Sequence, residues 1–273
     1  MTYFGVLLTF VVPPLLILLI IVPRDLWRWL FKREGKVDWL PYIAVLLHVV
    51  IAVIYTTPWD NYLVATNVWW YDPNMVTGVR IGYVPIEEYT FFVVQTLLTG
   101  FWTLFLLRYV FNSPLVVVRN QRVRLWAVSV AACVWLLSTI VLLTEWKPGT
   151  YLTLILSWAF IPVVIQFFYG ADLLLANWRL VCMAFLVPTI YLWIVDSLSI
   201  SSGTWTINPA QTTGLMLGSL PVEEMLFFLM TNIIIVFGIN LLLSDYTQHL
   251  VQQWLMRWQQ RRQAAAAPGS VSQ

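Results

Sequence analysis

Seven stretches of this 273-residue chain are apolar for about the length a helix needs to cross a bilayer, and nothing else in it limits the fold as strongly. They fall at about 3–22, 39–58, 86–108, 125–144, 150–169, 179–197 and 221–243. A helical span takes roughly 20 apolar residues. Backbone in hydrocarbon must satisfy its own polar groups, so such stretches fold as helices. The chain is 60% hydrophobic and 10% charged, whereas soluble domains carry about 25% charged residues. The expectation is an all-α, polytopic membrane protein of about seven transmembrane helices. Pro162 predicts a kink in the fifth span. No basic n-region or small-residue cleavage site marks the first run, which reads as a retained span rather than a signal peptide.

Lys and Arg set the expected orientation. Arg24, Arg28, Lys32, Arg33 and Lys36 follow the first span, and Arg108, Arg119, Arg122 and Arg124 follow the third. Arg179 follows the fifth, and Arg257, Arg261 and Arg262 lie in the tail. The opposite loops hold only Arg80 and Lys147. The positive-inside rule then puts the N-terminus outside and the C-terminus in the cytoplasm of a cell-membrane protein.

One phrase occurs twice. Pro85-Ile86-Glu87-Glu88-Tyr89-Thr90-Phe91-Phe92 returns as Pro221-Val222-Glu223-Glu224-Met225-Leu226-Phe227-Phe228, at an offset of 136 (221 − 85). The same offset carries Asp60 to Asp196, Trp69 to Trp205, Pro73 to Pro209, Thr77 to Thr213, Gly78 to Gly214 and Gly82 to Gly218. Both Glu pairs stand on odd-numbered spans, so both open on the same face. The expected organisation is two parallel three-helix repeats, 1–112 and 149–245, joined by a linking loop and helix over 113–148. Residues 246–262 place Leu250, Val251, Trp254, Leu255 and Trp258 at helical spacing, as an interfacial helix does. The Ala run and the Pro-Gly-Ser end of 246–273 read as disordered.

Acids in a membrane are costly and mark function. A Glu in the first helical turn also faces the positive end of the helix dipole, so capping is the bland alternative. Duplication of both acids favours chemistry. Neighbouring helical residues point about 100° apart, so one Glu of each pair at most faces a cavity squarely. Phe91 lies four residues beyond Glu87 and Phe92 four beyond Glu88, one turn below on each face. An apolar wall suits a protonated carboxyl, which a general acid requires. The catalytic candidates are therefore Glu87, Glu88, Glu223, Glu224, Asp60 and Asp196. The substrate-binding candidates are Phe91, Phe92, Phe227, Phe228, Trp69 and Trp205, whose ring faces stabilise cations. His48 reads as a packed, helix-bonded histidine, and the matched glycines as turn residues.

Absences narrow the reading. There is no HExxH, CxxC, GxSxG or dinucleotide fingerprint. Cys133 and Cys182 each sit in an apolar run, away from disulfide or metal patterns, and no metal site is expected. No lysine lies in 221–243 for a retinal Schiff base. No solvated basic domain speaks for nucleic acid. A transporter also uses parallel repeats, but with broken helices at matching places. Pro162 has no proline at the matching position of the first half, where Leu26 stands (162 − 136 = 26).

The duplicated Pro-x-Glu-Glu-x-x-Phe-Phe, the upstream Trp59-Asp60 and Val195-Asp196, and Gly203-Thr204-Trp205 resemble the lycopene cyclase domain family over about residues 1–245. This is the small membrane-integral type, two subunits in some actinobacteria and the front half of fungal bifunctional enzymes. The chain looks like the fused, stand-alone form. The resemblance implies an isomerase of the intramolecular lyase type that closes lycopene to β-carotene through γ-carotene. It implies a carotenoid and the lipid bilayer as partners, and leaves room for association with other carotenoid enzymes. A cyclase or hydratase of longer, C50 carotenoids is similar enough to stand as the alternative. The chemistry it implies exchanges no electrons and requires no cofactor, with a flavin or nicotinamide left open.

Overall fold

The computed structural model describes residues 1–32 and 37–266. Its helices are α1 (Tyr3–Ile21), a short amphipathic α2 (Arg24–Lys32), α3 (Leu40–Ala65), α4 (Ile86–Phe111), α5 (Gln121–Leu143), α6 (Lys147–Ala176), α7 (Trp178–Ser201), α8 (Val222–Leu243) and α9 (Asp245–Ala266). Among the described residues seven of these, all but α2 and α9, are long and apolar enough to cross a membrane. The chain is thus an all-α polytopic membrane protein. α4 and α8 are central, with 61% of their most apolar window buried, and α5 is peripheral with 11%. α5 packs along α6.

Short strands between the helices reveal how the repeats meet. β1 (Trp69–Tyr71) pairs antiparallel with β4 (Trp205–Ile207), with Trp69 opposite Ile207, Trp70 opposite Thr206 and Tyr71 opposite Trp205. The offset of 136 maps Trp70 onto Thr206, so that residue faces its own counterpart. Only a two-fold relation between the halves does this. Deeper down, the Gln95 amide donates to Thr231 Oγ1 at 2.9 Å, again a counterpart pair (231 − 95 = 136). The pseudo-two-fold axis therefore runs between α4 and α8.

Two tight hairpins deliver the chain into these central helices. Before α4, Arg80 and Ile81 pair with Pro85 and Val84. Before α8, Met216 and Leu217 pair with Pro221 and Leu220. Each turn has two residues and opens on a glycine, Gly82 at φ 68° or Gly218 at φ 64°. A side chain at that φ would be strained, and the first position of a type II′ hairpin turn demands glycine.

Two sequence expectations are corrected here. The break in α6 falls at Gly170 (φ −167°, ψ 45°), not at Pro162. And Pro162 does have a counterpart. Tyr55 Oη donates to the Trp158 carbonyl at 2.9 Å, while its counterpart Tyr191 donates to the Phe10 carbonyl at 2.6 Å. The first helices of the two halves thus correspond at an offset of 148 (158 − 10), which maps Pro14 onto Pro162. Proline cannot donate to the carbonyl four residues back. Trp158 and Phe10 are those residues, and each half supplies a tyrosine to the other. The offset changes by 12 (148 − 136) because the connection that carries α2 is present only in the first half.

The expected boundaries move slightly. α3 continues past Pro58 to Ala65, which puts Asp60 inside the helix rather than at its end. α9 leaves Leu250, Val251, Trp254, Leu255 and Trp258 exposed, as a helix lying on a bilayer surface would. It extends to Ala266, taking in most of the alanine run read as disordered, because alanine is the strongest helix former. The Pro-Gly-Ser end lies outside the described residues.

Candidate active site

Pro85 and Pro221 sit in extended conformation as N-caps of α4 and α8. A first-turn carboxylate can then turn back to the preceding loop or inward. The first Glu of each pair turns back. The Thr77 N–H donates to Glu87 Oε1 at 2.6 Å. The Thr213 N–H and hydroxyl both donate to Glu223 Oε1 at 2.7 Å. The second Glu of each pair turns inward, and Glu88 and Glu224 line one cavity of about 50 Å³. The angular offset between adjacent helical residues divides each pair in this way.

The cavity is built by both halves. Tyr3, Val6, Leu7 and Val11 come from α1, and Leu192, Val195 and Asp196 from α7. Trp69, Tyr71, Trp205 and Ile207 come from the paired strands. Phe91, Phe227 and Phe228 complete it, with Phe91 set edge-on to Phe228 at 5.9 Å between ring centres. Among the described residues no Lys or Arg appears in this lining.

Tyrosines hold the inward carboxyls. Tyr3 and Tyr71 donate to Glu88 Oε2 at 2.5 and 3.0 Å. Tyr151 donates to Glu224 Oε1 at 2.5 Å. Tyr3 and Tyr151 correspond at the offset of 148 (151 − 3). Tyr71 has no such counterpart, since Ile207 stands at the equivalent place. Burial, then the Glu88 charge, pushes the Tyr71 phenol well above its ordinary range, so it remains a donor. Sequence reasoning missed all three tyrosines. The signal for Tyr3 and Tyr151 was present, but only after the offset is allowed to change across the α2 connection.

The aspartates differ. Asp196 lines the cavity and accepts from Trp205 Nε1 at 2.9 Å through Oδ1, while its Oδ2 has no partner. Asp60 is 1% exposed, neither oxygen has a partner, and it is absent from the cavity wall. Trp69, the counterpart of Trp205, donates instead to Tyr71 Oη at 3.2 Å. An unpaired carboxyl buried among apolar groups suits the neutral acid, because an unpaired buried charge is expensive.

Of the remaining candidates, Phe92 faces a second apolar cavity, also about 50 Å³, that shares Phe227 as a wall. His48 lines that second cavity. Its Nδ1 lies 2.7 Å from the Ala44 carbonyl, and its Nε2 sits over Gly238, where any Cβ would collide. Cys133 and Cys182 are free. Among the described residues no group of three His, Cys, Asp or Glu side chains is placed to hold a metal ion.

The comparisons with known proteins meet this geometry. A family described as lycopene cyclase matches residues 1–106 and 148–254. The chain belongs to the lycopene cyclase family. The unmatched interval, 107–147, holds α5. A lycopene beta-cyclase of Halobacterium salinarum is 38% identical over 201 residues, covering 73% of this chain and 81% of that protein. A bifunctional lycopene cyclase/phytoene synthase of Colletotrichum graminicola is 41% identical over 213 residues, 73% of this chain and 35% of that one. The corresponding Podospora anserina protein is 36% identical over 201 residues, 70% and 33%. The chain therefore spans about a third of the length of these fungal relatives. No solved structure matches.

Proposed function

We propose that this chain closes the linear end groups of lycopene to the β rings of β-carotene, one end at a time through γ-carotene. The observation that carries this reading is the meeting of Glu88 and Glu224, one from each repeat, with Asp196 in a single aromatic, cation-free cavity. The name and coverage of the Halobacterium relative support it.

The reaction needs a proton given and a proton taken. Asp196 Oδ2, free of hydrogen bonds, is the donor to C2 of the terminal C1=C2 alkene. The C5=C6 alkene attacks the resulting C1 cation and forms the C1–C6 bond, which leaves the charge at C5. Phe91, Phe227 and Phe228, all on the cavity wall, supply the π density for this charge. Glu88 already accepts two phenol hydrogens through Oε2, contacts that favour its anion. Its other oxygen is the base that removes the C6 proton, restoring C5=C6. Glu224, on the same cavity wall, is on this reading the relay that returns the proton from Glu88 to Asp196 after each closure. Atoms and protons balance without electron transfer, and the carboxyls suffice for every step. Glu87 and Glu223 act on this reading as positioning residues that tie the Thr77 and Thr213 loops to the helix starts.

The cavity is smaller than the roughly 150 Å³ space that accepts a benzene ring. Substrate must therefore widen it. When the chain is produced in a host that accumulates lycopene, pigment chromatography should reveal mono- and bicyclic products. Unchanged lycopene beside well-inserted protein would refute the proposal.

We propose further that the chain consists of two three-helix units, 1–112 and 149–245, around the linking segment 113–148, and sits with its N-terminus outside and its C-terminus in the cytoplasm. The Arg-rich connections after α1 and α4 support this orientation. A reporter fused after residue 262 should be active in the cytoplasm. Activity only on the external side would invert the orientation.

A further inference from the structure

The two halves are alike in sequence but not in the space they enclose, and from this we infer that only the Asp196 half is a reaction chamber. Trp59 fills its counterpart beside Asp60, so both ends of the substrate are closed in turn at one place. The inference rests on the cyclase reading and says where and in what order the two ring closures occur.

The two-fold relation makes the comparison direct. Val195 lies beside Asp196 in α7 and lines the cavity. Its counterpart in the first half is Trp59 beside Asp60 (195 − 136 = 59). The Trp59 indole stacks on Trp158 at 4.6 Å and on Phe227 at 5.6 Å and 9° between planes. Its N–H donates to the Leu154 carbonyl at 3.3 Å. Trp158 is itself a substitution within the pattern, since its counterpart on α1 is Phe10. A valine in one half is thus an indole in the other, packed in a cluster with two more aromatic rings.

The polar groups divide the same way. In the open half Trp205 donates to Asp196 and presents it to the cavity. The matching Trp69, although on the wall of the same cavity, turns to Tyr71 and leaves Asp60 with no donor. Tyr71 takes its place on Glu88, where the other half has Ile207. These differences all favour a catalytic end group on the Asp196 side. A substrate with two equal ends must then leave after the first closure and return reversed.

Two variants and a time course test this. Val195→Trp puts an indole where the end group would sit. It should lower formation of both cyclic products about a hundredfold, the scale of loss for reacting atoms displaced by ~1 Å. Trp59→Val empties the opposite half and should leave at least about half of the rate. The wild-type protein should build up the monocyclic product before the bicyclic one, and added unlabelled lycopene should compete with it for the second closure. Cyclisation by Val195→Trp near the wild-type rate would overturn the inference, as would an equal collapse of Trp59→Val. If Val195→Trp fails to insert or melts early, Leu192→Phe replaces it, narrowing the same chamber one turn away, with the same outcomes deciding. A wild-type chain that makes no cyclic product would instead remove the cyclase reading itself.

Discussion

Replacing Glu224 by Gln, or Glu88 by Gln, is expected to slow cyclisation about 10²–10⁴-fold, the usual worth of a positioned acid or base. Glutamine keeps the shape and can still accept the Tyr151 or Tyr3 hydroxyl through its carbonyl oxygen. It has no proton to exchange at neutral pH. The two residues come from different repeats yet line one cavity, so each single variant should suppress both rings rather than one. The measurement is the initial rate of cyclic product per inserted protein. Closure of both ends by Glu224→Gln at the wild-type rate would remove it from the chemistry and leave α8 with only a helix start. The neighbouring Glu87 and Glu223 provide the contrast. Their Gln forms keep the acceptor for the Thr77 and Thr213 N–H groups, so losses there should be far smaller.

The spans and the duplicated acids were legible because each is written locally. A run of about 20 apolar residues can be only a helix in lipid, and a Pro-x-Glu-Glu phrase can be matched without a structure. The division of labour within each pair was half legible. Helical geometry says that the two acids diverge, but which one turns inward depends on the loop that Thr77 and Thr213 bring back over Glu87 and Glu223. Tyr3 and Tyr151 were hidden because the α2 connection changes the offset from 136 to 148. The same change hid Pro14 behind Pro162. The strands were not foreseen, since two- and three-residue pieces have no periodicity to read. Their pairing, Trp70 against Thr206, is nonetheless what fixes the axis. The inequality of the halves could be seen only in space. Trp59 and Val195 were both in view as neighbours of matched aspartates, but a sequence cannot tell that one ring occupies the volume the other residue leaves open.

The two aspartates separate these readings most sharply. Asp196→Asn is expected to cost about 10²–10⁴-fold, because it removes the proton donor facing the cavity. The amide oxygen can still take the Trp205 N–H, so the local structure has little reason to change. Asp60→Asn should cost far less in rate. Asp60 is absent from the cavity wall and so has no direct access to an end group there. Asn there exchanges one unpaired buried polar group for another, so thermal stability should change little as well. Trp205→Phe lies between the two. It keeps an aromatic face but withdraws the N–H that orients Asp196, which should slow the reaction without abolishing it. Rates and melting temperatures of the three variants, measured in the same membranes, decide the matter. Equal loss for Asp60→Asn and Asp196→Asn would mean that both halves deliver protons, and would return the site to the symmetry of its sequence.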